Sequence, residues 1–322
     1  MIWINGCTKS KKWVKDKIFN TITLPGKYSY DVYIWHQIII AFLYYSVFQT
    51  LNIYFVLCVI GGTVILSLLS VWMRNNIKLF SGNLKRILFS LIIVGVSSIL
   101  SMIIYLRAGV VRDIPELDVY ADNVYRHMHA EYNGLPYSWD KDFCEEDKIK
   151  VLVIGNSFAR DFANILNESE YVNDMEISYI YGEDISSKED RIKYADIVFW
   201  GTNDWSIPTT IIEEIPEDKL YIVGNKLYGN SNGIIYAKRN DEQYFSQMVE
   251  LDEKMLEKNN DLKRKYGKHY IDMITPVLEG NRVKVFTDNN YYISQDCRHL
   301  TRQGAKYYAR ILNLEAIFSQ FI

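Results

Sequence analysis

The rhythm of hydrophobic positions changes near residue 107. Before it, three apolar stretches, 32–51, 53–73 and 87–106, contain no Asp, Glu, Lys or Arg, and each is close to the roughly 20 residues needed to cross a bilayer. Trp35, Trp72 and Tyr105 stand near their ends, where aromatic side chains settle at a membrane–water interface. Beyond residue 147 the apolar runs shorten. Segments 151–154, 176–181, 197–200, 219–223 and 269–273 read as strands, with helical patterns over 158–166 and 243–266. Strands alternating with helices predict a parallel sheet covered on both faces. Residues 107–147, with Pro115, Gly134 and Pro136 and no sustained period, predict a linker wrapping onto that domain. The expected order is a cytoplasmic flank over 1–27, a membrane region of three transmembrane helices over 28–106, the linker over 107–147 and an α/β domain over 148–322.

Charge sharpens this division. Residues 1–110 carry eleven Lys and Arg against two acidic residues, Asp16 and Asp31, whereas the remainder carries 25 against 37, within a formal net charge of −3. An acidic domain gains nothing from phosphate contacts, so nucleic acid is excluded as its partner. Basic residues cluster before the first apolar stretch (Lys9, Lys11, Lys12, Lys15, Lys17, Lys27) and between the second and third (Arg74, Lys78, Lys85, Arg86). Both segments are expected in the cytoplasm, and three crossings then place the chain after about Arg107 outside. A cleaved signal peptide does not fit, because the first apolar run begins about 30 residues in and two more follow. Cys7, Cys58, Cys144 and Cys297 form no C-x-x-C pair, so no metal site and no cofactor is expected. Cys144 and Cys297 both fall in the outer part, where a disulfide would persist, although two separate thiols are the simpler expectation.

Candidate chemistry lies just past the strands. Gly155-Asn156-Ser157-Phe158 follows the run 151–154, Gly201-Thr202-Asn203-Asp204 follows 197–200, and Asp296-Cys297-Arg298-His299 precedes the last helical stretch. A serine at a strand-to-helix turn shares its space with unpaired helix amides. Alone it is as well read as an ordinary helix cap, and Gly155-x-Ser157-x-Ala159 is not the G-x-S-x-G elbow of α/β-hydrolases. Asp296 and His299, three residues apart, can share one side of a turn, so that the carboxylate fixes the imidazole that takes the serine proton. Asn203, with Gly201, can supply oxyanion donors, though G-T-N-D is also good turn composition. Gly182, just after 176–181, is a weaker candidate donor. His127 and His129 read as solvated linker residues and His269 as structural.

These blocks resemble the SGNH hydrolases. G-N-S matches the first block with Asn156 where Asp is usual, Gly182 the second, G-T-N-D the third, and D-C-R-H-L-T-R-Q-G-A, from Asp296, the last. The resemblance covers 150–322 and implies a three-layer α/β/α domain with Ser157, Asp296 and His299 as catalytic groups and Gly182 and Asn203 at the oxyanion. A second resemblance lies at Tyr28-Ser29-Tyr30-Asp31-Val32-Tyr33-Ile34-Trp35-His36. It looks like a segment late in the membrane domain of acyltransferase-3 proteins, which are often fused to an SGNH domain and O-acylate cell-surface polysaccharides. That family has about ten core spans and one more before the fused domain, whereas this chain carries only the last three. His36 is read here as an interfacial histidine.

Together these readings predict a multi-pass cell-membrane protein that transfers an acyl group, expected to be acetyl, to an extracytoplasmic glycan through a serine acyl-enzyme. A separate membrane subunit would supply the acyl donor. The same triad with water as acceptor makes a carbohydrate esterase. A non-catalytic remnant or subunit of a split acyltransferase is the alternative outside enzymology.

Overall fold

The structure, a computed structural model, describes residues 28–44, 46–48, 51–76, 82–106, 114–118, 129–182, 184–185, 189–229 and 239–321. The chain divides into two compact units near Ile99. In the first, helices run over 28–44 and Ile53–Asn76, and the helix Asn83–Leu106 begins. Arg74 holds both carboxylate oxygens of Asp31, at 3.1 and 3.0 Å, and Trp35 donates its indole N–H to Ser70 Oγ at 2.7 Å. Most other large apolar side chains here are exposed, Ile65 and Ile92 among them, so the helices are apolar all round. Among the described residues, Ile53–Arg74 is long and apolar enough to cross a bilayer. In the first expected span, residue 46 is still helical, and the Val47 and Phe48 amides both bond to the Leu43 carbonyl. The third is helical over Asn83–Leu106, with the apolar segment Ile87–Ile103 inside it. The flank over 1–27 and Lys78 lie outside the described residues.

The second unit is built on five parallel strands, β1 (Ile149–Gly155), β2 (Met175–Tyr181), β3 (Ile197–Gly201), β4 (Leu220–Val223) and a two-residue strand at Tyr270–Ile271, in the order β2-β1-β3-β4 and then that last strand. Val151 to Ile154 have no exposed surface, as a strand covered on both faces requires. Alternate side chains feed two cores. Val151, Val153 and Phe199 pack with Phe162 of helix Ser157–Asn167, whereas Leu152, Ile154, Val198 and Trp200 pack with Ile192 and Ile211 on the other face.

The chain winds outward from β1 in both directions, so the crevice of such a sheet opens where β1 and β3 leave it. There Gly155 and Gly201 stand in register. Gly155 has φ of 137°, and a Cβ on it would lie 2.0 Å from the Gly201 carbonyl oxygen.

One expectation changes. The helix expected over 243–266 is only Glu253–Tyr266, capped by Asp252, which accepts the Lys254 amide at 2.9 Å. Ahead of it, Met248–Glu250 joins Arg282–Lys284 and Leu278–Glu279 in a small antiparallel sheet. The described parts of 107–147 are built into the second unit. Tyr132 is buried in its core, Tyr292 donates its amide to the Glu116 carbonyl at 2.8 Å, and buried Arg191 holds Asp140 and Asp142 at 2.6 and 2.8 Å. Cys58, Cys144 and Cys297 are free thiols.

Gly155→Ala combines strain at positive φ with a backbone clash and should destabilise the fold by about 2–4 kcal/mol. Gly134→Ala, which meets nothing within 4 Å, should stay within about 0.5 kcal/mol of wild type. Urea unfolding of both variants measures the contrast.

Candidate active site

Asn156, in extended conformation, caps the helix Ser157–Asn167 by accepting the Phe158 amide at 3.0 Å. The cap is thus the neighbour of Ser157, whose hydroxyl is left for other work. It lies 2.9 Å from Nε2 of His299. Nδ1 of that ring lies 2.6 Å from Asp296 Oδ2. An ionised carboxylate can only accept, so Nδ1 carries the proton and Nε2 is left to accept from the serine.

The turn that presents Asp296 and His299 is closed on itself. Asp296 Oδ1 accepts the amides of Arg298 at 2.9 Å and His299 at 2.7 Å, and Cys297 between them has φ of 66°. Burial pushes the Asp296 carboxyl up, yet hydrogen bonds from the His299 ring and from the two amides outweigh it and hold the group well below the ordinary carboxylate range. Burial likewise pushes the Cys297 thiol up to about 12, which leaves it protonated and inert at neutral pH. The His299 side chain is 26% exposed and Asp296 47%, so the triad opens to solvent.

Past β3, Asn203 Oδ1 accepts from Asn156 Nδ2 at 2.5 Å, and its carbonyl accepts from Asn225 Nδ2 at 2.7 Å. With Oδ1 so engaged, the Asn203 NH₂ remains a donor. The Ser157 amide is the first of the helix and has no intrahelical acceptor. Gly182 is placed differently from the sequence expectation. Its amide donates to the Gly155 carbonyl at 3.0 Å, so that N–H is spent on holding β1 to the turn after β2, and it supplies no oxyanion donor in this arrangement.

His269 lies away from this group. Its Nδ1 contacts the Leu220 carbonyl at 3.0 Å and its ring packs on Tyr221. His127 is outside the described residues. Among the described residues no cluster of three or more His, Cys, Asp or Glu is placed to hold a metal.

Sequence reasoning missed what lies beneath the turn. Asp161, on the serine helix, and Lys226, just past β4, pair at 2.6 Å with 0% and 1% of their side chains exposed. Asp161 also accepts the Leu300 amide at 2.8 Å, and Lys226 donates to the Arg298 carbonyl. The one available sequence signal is that Asp161 follows Ser157 by a single helical turn.

No protein-family model and no curated protein matches the chain. Among solved structures, the periplasmic domain of a lipopolysaccharide acetyltransferase from Salmonella ser. Paratyphi A aligns at 16% identity and a TM-score of 0.42, over 64% of this chain and 98% of that one. A Bacteroides fragilis protein assigned as an acylhydrolase aligns at 13% identity and a TM-score of 0.29, over 60% of this chain and 97% of its own. Likeness at this level carries no functional weight, and the geometry above has to carry it.

The Asp296 carboxyl fixes the sign of one pH effect. Because its folded pKa is depressed, its stabilising contribution is present above the unfolded carboxylate value of about 4 and is lost as pH falls through the folded value. The gap in urea midpoint between wild type and Asp296→Asn should therefore hold steady from pH 7 to about 5 and shrink below about 4. A gap that widened in acid would contradict the hydrogen bonding described.

Proposed function

We propose that this chain is a membrane-anchored O-acyltransferase with an SGNH-type site, acting on an extracytoplasmic glycan with acetyl as the transferred group. The observation that carries the acyl-transfer part is the continuous chain from Ser157 Oγ through His299 to Asp296, at 2.9 and 2.6 Å. A nucleophile, a base and its orienting carboxylate in hydrogen-bond contact are the parts that acyl transfer needs.

In the proposed reaction Ser157 Oγ attacks the acyl carbonyl while its proton passes to His299 Nε2. The Ser157 amide and the Asn203 side-chain NH₂ hold the oxyanion. Collapse expels the leaving group, protonated by His299, and leaves an ester on Ser157. An acceptor hydroxyl then loses its proton to His299 and attacks that ester, releasing the acylated product and restoring the serine. With water as acceptor the same steps make an esterase.

Support for a sugar acceptor comes from Tyr181, at the end of β2 and in register with Gly155. Its ring is 62% exposed and meets Tyr137 edge-on at 5.7 Å, leaving an aromatic surface beside the serine turn. Support for the anchor comes from the apolar helix Ile53–Arg74 and the lysines before it. Donor handling would fall to a separate membrane subunit, whose spans would shield a polar thioester on its way across.

Full-length protein should release p-nitrophenol from its acetate ester, and Ser157→Ala should abolish this. Asn203→Ala should lower kcat by about 10²–10³-fold, the usual cost of an oxyanion donor. Hydrolysis at the same rate by wild type and Ser157→Ala would remove the serine mechanism. Transfer is scored by mass spectrometry of surface glycan. A gain of acetyl is expected only when a candidate donor subunit is co-expressed.

Topology is tested in a chain whose Cys7, Cys58 and Cys144 are replaced by serine and which carries Ser319→Cys at an exposed position. An impermeant maleimide should label it in intact cells stripped of any outer membrane. Labelling that requires lysis would place the second unit in the cytoplasm.

A further inference from the structure

We propose that the buried Asp161–Lys226 pair is the positioning element that sets the distance between Ser157 and His299. Its catalytic consequence rests on the acyl-transfer reading, whereas its geometry does not. Asp161 follows Ser157 by four residues in one helix, so the two side chains share a face. Asp161 Oδ2 takes the Leu300 amide at 2.8 Å and the Lys226 ammonium at 2.6 Å. That ammonium also donates to the Arg298 carbonyl. The residues on either side of His299 are therefore gripped by one ion pair, rooted on one side in the serine helix and on the other in the segment after β4.

The grip extends to the rings above it. Lys226 Nζ sits 4.2 Å from the ring centroid of Phe158, the neighbour of Ser157, and that ring meets the His299 imidazole at 6.2 Å. Arg160 holds the other Asp161 oxygen at 3.1 Å, so the carboxylate cannot turn away from its task.

An ion pair is an expensive way to fill a core, since well-packed apolar residues often do as well or better. Here they would not. The Leu300 amide is buried and needs an acceptor, the Arg298 carbonyl takes a donor, and leaving the buried amide unpaired costs more than a hydrogen bond contributes. Only a donor–acceptor pair between the serine helix and the histidine turn satisfies both. That requirement also fixes where the imidazole sits.

The test uses the full-length protein in detergent with Lys226→Met, which keeps the stem and removes the ammonium. Ile317→Ala, in the core away from the turn, serves as a control of reduced stability. With folding confirmed by circular dichroism, Lys226→Met should lower kcat on p-nitrophenyl acetate about 100-fold, the penalty of a reacting group displaced by about an ångström, with KM within about twofold of wild type. The low-field proton resonance of His299 Nδ1–H, sharp in wild type, should broaden or vanish in Lys226→Met and persist in Ile317→Ala.

If Lys226→Met does not fold, Asp161→Asn decides by the same two measurements, because it keeps an acceptor for Leu300 while breaking the ion pair. A folded variant with wild-type kcat and an unchanged resonance overturns the proposal. So does an equal loss of kcat in Ile317→Ala. If wild type shows no Ser157-dependent hydrolysis, the acyl-transfer reading falls, and the resonance alone still decides for or against the positioning role.

Discussion

The close approach of Gly155 to Gly201 is the constraint on which the rest of the site depends. With a Cβ excluded at 2.0 Å from a carbonyl oxygen, the ends of β1 and β3 come together more tightly than any other residue at 155 would allow. Two consequences follow from that one contact. The helix carrying Ser157 starts directly over β3, and Asn203, leaving β3, arrives where the side chain of Asn156 can reach it. The Gly182 amide reinforces the same corner from β2 by binding the Gly155 carbonyl, as does the Tyr179 hydroxyl, 3.1 Å from both the Gly155 and Asn156 carbonyls. A backbone corner braced on three sides lets a solvent-facing hydroxyl keep a fixed address.

Asn156 gains meaning from this corner. Its carbonyl oxygen caps the helix while its NH₂ engages Asn203 Oδ1, so one side chain settles both where the nucleophile begins and which way the Asn203 amide faces. An ionised aspartate has no hydrogen to give. In this geometry it would face the Asn203 oxygen with a second acceptor, and the Asn203 amide would have to turn its NH₂ inward. Asparagine at this position thus engages the Asn203 oxygen and leaves its NH₂ out of that contact, a consequence that goes beyond retaining shape at the loss of a charge.

What the sequence made legible was whatever is local. The run 151–154 is fully buried because a central parallel strand leaves no polar alternative, and the spacing of Asp296 and His299 anticipates the turn that joins them. Three things stayed hidden because they depend on partners distant in the chain. The pattern over 243–266 reads as one helix, but Tyr244 is drawn into a separate aromatic cluster, its hydroxyl 2.9 Å from that of Tyr292 and its ring beside Phe286, so the helix waits for the cap at Asp252. Lys226 looks like a surface residue until Asp161, the Arg298 carbonyl and the Phe158 ring are placed round it. Gly182 has the right position in the chain for an oxyanion donor, but only coordinates reveal that its amide is already engaged.

Transfer and hydrolysis differ only in what meets the acyl-serine, and the exposure of the site bears on that choice. His299 and Asp296 face solvent at 26% and 47%, so nothing in the triad itself excludes water once an acyl group is on Ser157. A transferase with so open a site must gain its selectivity from the acceptor, which covers the ester as it binds and brings a hydroxyl within reach of Nε2 at an effective concentration that water cannot match. The exposed edge formed by Tyr181 and Tyr137 is suited to that covering role, since flat aromatic surface buries well against the apolar face of a sugar ring. The rigid brace beneath the histidine turn and the open aromatic surface beside the serine are then complementary. On the proposed reading, the first would hold the reacting groups in place and the second would be covered by the acceptor as it binds.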